Sequence, residues 1–62
     1  MKTIVKFHNQ PLEFWRKPAG TRVCSTVGED KKATRFLTEQ DARLAVVACR
    51  LDPEHITYHN VN

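Results

Sequence analysis

No apolar run in the 62-residue chain exceeds the six residues from Leu44 to Cys49, so no segment is long enough to cross a membrane as a helix. The amino-terminal stretch alternates polar and apolar residues and lacks a signal-peptide core, which predicts a cytoplasmic protein. Two glycines are too few for the glycine-rich loops that cradle phosphates. The two cysteines, Cys24 and Cys49, lie 25 positions apart with no close Cys pair. They are expected as reduced core thiols, with neither a disulfide nor a metal required. Repeats, linkers and low-complexity tracts are also missing. Acids are scarce in one half. Residues 1–35 carry eight Lys or Arg against three acids, whereas residues 36–62 carry two against four.

Sixty-two residues allow a single domain, 1–62, with one small core. Such a chain buries only about 60% of the surface its unfolded form exposes, and its stability is expected to be marginal. Hydrophobic and charged contents of 40% and 27% are those of a folded domain. The uneven charge puts a basic field on the amino-terminal half, which attracts nucleic acid or an acidic protein surface.

The stretch Thr38–Leu51, TEQDARLAVVACRL, carries the helix signal. Thr38 is a suitable N-cap, because its hydroxyl can accept from a free amide of the first turn. Glu39 and Asp41 place negative charge at the positive end of the helix dipole. At 100° per residue Ala42, Leu44, Ala45, Val46, Ala48, Cys49 and Leu51 form one apolar arc, opposite Glu39, Arg43 and Arg50. The small residues in its middle suit close packing on a sheet. Asp52-Pro53 is expected to end the helix after Leu51.

Lys2–His8, Leu12–Lys17, Thr21–Val27 and His55–Val61 read as strands from their β-branched and aromatic content. Asn9-Gln10-Pro11 and Pro18-Ala19-Gly20 read as turns, and Gly28–Thr34 as a charged loop. Arg35-Phe36-Leu37 is either a short extra strand or the lead-in to the helix. The expected fold class is therefore α+β, a small antiparallel β-sheet in β-β-β-α-β order with one helix packed across one face. Alternation within the strands turns Val5, Phe7, Leu12, Phe14, Ile56 and Tyr58 toward the helix. Lys2, Ile4, Lys6, His8, Trp15, His55, Thr57 and His59 are left on the other, open face.

Cys24, Cys49, His55 and His59 are the residue types of a zinc site, and His55-x3-His59 has ligand-like spacing. On a strand, however, positions four apart lie roughly 13 Å from each other, too far for one tetrahedral ion. No metal or other cofactor is expected. Ser25 and three histidines show no triad spacing. The acids Glu29, Asp30, Asp52 and Glu54 fall in loops, where solvated charge is the ordinary condition. The chain does not read as an enzyme.

What remains is a binding surface. Trp15 beside Arg16 and Lys17 matches both a protein-interface anchor and a base-stacking platform. Arg22, Lys31, Lys32 and Arg35 complete the candidate partner-binding set as cations available to acidic groups or phosphates.

With MKTIVKFH leading a sheet, one capped helix TEQDARLAVVACRL and a terminal strand HITYHNV, the chain resembles small phage-encoded inhibitors of the anti-CRISPR type in size, basic balance and layout. No family motif is shared, so no residue role transfers. The resemblance implies a non-enzymatic inhibitor or adaptor, acting as monomer or homodimer on a host protein or ribonucleoprotein complex. The alternative is a small nucleic-acid-binding protein without sequence preference.

Overall fold

A computed structural model describes all 62 residues. Strands β1 (Lys2–Phe7), β2 (Gln10–Arg16), β3 (Arg22–Thr26) and β4 (Ile56–Val61) form an antiparallel sheet in the order β3-β2-β1-β4. Helix α1 (Glu39–Ala48) lies across one face. Two short 3₁₀ turns, Asp30–Lys32 and Pro53–His55, precede α1 and β4. The α+β fold and the β-β-β-α-β order are those expected.

Each end of α1 has a local cause. Thr38 Oγ1 accepts from the Asp41 N–H at 3.1 Å, which satisfies one of the four amides that a helix start leaves free. Glu39 and Asp41 occupy the first turn, and Glu39 holds Arg43 one turn on, Nε to Oε2 at 2.8 Å. The helix stops at Ala48, earlier than Leu51. Arg50 takes a left-handed conformation, φ 56°, and donates to the Val47 carbonyl, while Leu51 donates to that of Val46. These two bonds make a Schellman ending, which satisfies two otherwise free carbonyls before Asp52-Pro53 is reached.

The helix-side core is Val5, Leu12, Phe14, Ala42, Ala45 and Val46, with Phe7, Cys24, Phe36, Cys49, Leu51, Ile56 and Tyr58 packed around it. Strand alternation on this side is as expected. Two members of the expected helical arc are not inside. Leu44 is 58% exposed and Ala48 is exposed too, because the buried stripe is the narrower set Ala42, Ala45 and Val46, with Cys49 half-buried at its end.

The β1–β2 turn is His8-Asn9, not Asn9-Gln10-Pro11. Both residues have positive φ, 49° and 69°, the signature of a two-residue type I′ hairpin, and Gln10 and Pro11 belong to β2. From this turn the two strands diverge. They share only the pairs Lys6↔Pro11 and Phe7↔Gln10, against six pairs between β1 and β4. Residues 34–36 fill the gap. Phe36 exchanges two backbone hydrogen bonds of 2.8 Å with Thr3. Thr34 donates its N–H to Leu12 O, and its Oγ1 accepts from the Phe14 N–H at 2.7 Å. The segment is thus a one-residue bridge leading into the helix, wedged between two strands.

The second face is not open along its length. Ile4, expected outside, is completely buried, and so is most of Ala33, yet neither belongs to the helix-side core. The chain after β3 returns across this face, and Asp30 meets Lys6 there, Nζ to Oδ1 at 3.3 Å. Lys6 alternates with Val5, so this strap covers the side away from α1. A sheet with only one helix would have left Ile4 in water.

Candidate partner-binding surface

The distal end of the β2–β3 hairpin is built around a tight loop. Gly20 donates to the Lys17 carbonyl at 2.8 Å, and Lys17 donates to that of Thr21 at 2.9 Å. Pro18 supplies the fixed φ of a type I turn, and Gly20, at φ 90°, supplies the left-handed step back into the ladder. This loop sets a five-pair register that ends with Trp15↔Val23 and Arg16↔Arg22.

Alternation then sorts the side chains. Trp15 and Val23 lie on the face away from α1, where Trp15 keeps 44% of its surface exposed. Arg16 and Arg22 face each other on the helix side, beyond Phe14 and Cys24. Like charges directly opposite on a ladder repel. Neither arginine, nor Lys17, has a carboxylate within 4.0 Å, whereas Lys6, Lys32 and Arg43 are each paired with one. The hairpin end is therefore an uncompensated cationic cluster with an exposed indole at its side.

Of the seven residues singled out in the sequence, four meet here: Trp15, Arg16, Lys17 and Arg22. Lys31 and Lys32 do not. They sit in the 3₁₀ turn that follows the other end of β3, and Lys32 approaches Glu29 at 3.9 Å. The four residue steps from Leu12↔Thr26 to Arg16↔Arg22 separate the hairpin ends by about 13 Å. Arg35 sits in the wedge and donates to the Asn62 carbonyl at 2.8 Å, tying down the carboxy terminus.

The helix carboxy terminus reaches the same end of the sheet. Cys49 packs on the core with Cys24, and Arg22 is close enough to act on its titration. Burial raises the Cys49 thiol to about 11, reinforced by the neighbouring Cys24, with Arg22 opposing the shift. The four zinc-type residues do not converge: both thiols are on the helix side, while His59, alternating with Tyr58, bonds Thr57 on the opposite side at 2.9 Å. His55 instead stacks on His8 at a centroid distance of 4.0 Å, beside Asp52 and Glu54.

Three exposed apolar side chains were not among the expected surface residues: Leu37, Leu44 and Val47, at 70%, 58% and 73% exposure. Leu44 and Val47 share the outward side of α1. A narrower estimate of the buried stripe would have placed Leu44 outside; Val47 already lay off the expected arc, and Leu37 precedes the helix. No pocket indents the surface. No known family model, curated protein or solved structure matches the chain.

Proposed function

We propose that the protein is a non-enzymatic inhibitor or adaptor that docks the distal β2–β3 hairpin onto an acidic surface of a protein partner. The observation behind this is the Arg16–Arg22 pair. Two arginines held opposite each other without an acid cost stability, and a partner carboxylate would neutralise both. Trp15 adds a large, stiff aromatic anchor of the type that dominates protein interfaces. A phosphate backbone is the weaker match, because single-strand platforms follow a continuous basic track with several stacked bases. Here Lys31 and Lys32 are separated from the hairpin cluster, and one tryptophan stands alone on its face. A host nucleic-acid-handling complex of the CRISPR type is the target class that follows from the resemblance to phage-encoded inhibitors.

Affinity capture from a host lysate, with and without nuclease, tests this directly. A protein that remains bound after nuclease treatment is the expected result, and Trp15→Ala should weaken its binding by about 2 kcal/mol or more. Replacing Lys31 and Lys32 together by alanine should weaken it much less. Loss of all bound material with nuclease, and a steep linear fall of log affinity with log salt, would establish nucleic acid as the ligand instead.

A further inference from the structure

We propose that β4 is a dimerisation edge, pairing antiparallel with β4 of a second copy to make one continuous eight-stranded sheet. The strand order leaves β4 at the margin, bonded to β1 on one side only. Backbone bonds fix which of its groups face outward. Thr3 exchanges both its hydrogen bonds with Phe36, on the side away from β4, whereas His8 donates to the His55 carbonyl. Antiparallel pairs alternate between bonded and non-bonded. Lys2↔Val61, Ile4↔His59 and Lys6↔Thr57 are therefore the bonded pairs, and Ile56, Tyr58 and Asn60 turn their backbones to the free edge. The Ile56 N–H is already taken by the Pro53 carbonyl. Two donors remain, the N–H groups of Tyr58 and Asn60, with the carbonyls of all three residues.

Such an edge accepts another strand unless charge, proline or a bulge prevents it. β4, ITYHNV, has no charged residue and no proline, and its register with β1 is unbroken. The opposite edge differs, because β3 carries Arg22, which already faces Arg16. A two-fold axis at Tyr58 sets Tyr58 against its copy and Asn60 against the copy's Ile56. Each Tyr58 N–H then donates to the facing Tyr58 carbonyl, and each Asn60 N–H to the facing Ile56 carbonyl. Four bonds close and no donor is left over. Thr57 faces the copy's His59, so no like charges stand opposite each other.

Charge selects a second copy as the occupant. Asp52 and Glu54 precede β4. Lys2 and Arg35 adjoin its far end, Lys2 paired with Val61 and Arg35 bonded to the Asn62 carbonyl at 2.8 Å. Glu54, Lys2 and Arg35 have no ion-pair partner within 4.0 Å in their own chain. Antiparallel pairing brings the acidic end of each strand to the basic end of the other, with Glu54 across from the copy's Asn62. On the helix side Arg43, which lies over the Tyr58 ring, is neutralised by Glu39 and does not repel its copy. The joined sheet keeps the two β2–β3 hairpins free at its outer ends. The inference therefore stands apart from the docking role proposed for them.

The test follows the full chain up to about 1 mM by sedimentation equilibrium and by amide hydrogen exchange. Mass is expected to rise from one chain to two. Exchange at Tyr58 and Asn60 should slow about tenfold once roughly nine-tenths of the chain is paired, while Thr57, His59 and Val61, bonded to β1, should slow far less. Thr57→Lys puts a lysine across from the copy's His59 without touching the core and should stay monomeric. Asn60→Pro removes an outward donor, and with it the side-chain bond to Thr3, but leaves the β1 ladder intact; it should stay monomeric too. Circular dichroism establishes that each variant is folded; if one is not, the exchange pattern of the wild-type chain decides. Four results would each overturn the proposal. They are a chain that is monomeric at about 1 mM, a dimer whose Tyr58 and Asn60 amides still exchange freely, a folded Thr57→Lys chain that pairs as wild type does, and edge amides protected only by the protein captured from lysate.

Discussion

Leu51 donates its backbone N–H to the carbonyl of Val46 at 3.2 Å, and both side chains pack on the helix-side core. This bond places Arg50 at the position where helices ordinarily use glycine. Its φ of 56° costs an L-residue about 1 kcal/mol or more. Arg50→Gly should therefore stabilise the protein by about 0.5–1 kcal/mol and raise Tm by roughly 2–8 °C. A thermal or urea melt decides the matter. A loss of stability would mean that the Arg50 side chain makes contacts worth more than the strain.

Three substitutions rank the two faces of the sheet. Ala45→Arg puts a charge into the helix–sheet contact, where Ala45 is 1% exposed, and should cost about 3–5 kcal/mol. Leu44→Arg, one residue away on the outward side, should change stability by less than about 0.5 kcal/mol. Ile4→Ala should cost about 2–5 kcal/mol, because the strap seals Ile4 from water on the face opposite the helix. Chemical denaturation of all three would expose an error in either layer. A mild Ile4→Ala would mean the strap does not cover that face in solution.

Arg16→Glu separates stability from binding. It converts a repulsive cross-strand pair into an attractive one and should stabilise the fold by roughly 0.2–1 kcal/mol. The same change removes a docking cation and should weaken partner capture. Opposite signs in the two measurements are expected. Equal retention of the partner by Arg16→Glu and wild type would remove Arg16 from the interface.

Cys49 sets a pH dependence under reducing conditions. Its thiol titrates near 9.0 when unperturbed and near 11 in the folded protein, where burial and Cys24 favour the neutral form. Between these values the unfolded chain releases the proton and the native chain keeps it. Raising the pH therefore favours unfolding, and stability present below pH 9 is lost toward pH 11. Denaturant melts across this window should fall more steeply for wild type than for Cys49→Ser. Parallel slopes would contradict the shift.

What the sequence determined alone is the set of features with local causes. Thr38 caps its own helix three residues away, the acids of the first turn act on their own dipole, and alternation in Leu12–Trp15 separates the core from the exposed indole. Trp15, Arg16 and Lys17 are contiguous, so their clustering needed no fold. Arg22 needed one, because only the five-pair register set by Pro18 and Gly20 turns it toward Arg16. The wedge between Thr3 and Phe36, the strap sealing Ile4, and the distance of Lys31 and Lys32 from the hairpin end belong to tertiary structure. Each joins residues far apart along the chain, and periodicity is blind to such pairs. The left-handed Arg50 has the same origin: Leu51 and Val46 pack together on the core, and the chain must turn sharply between them to do so.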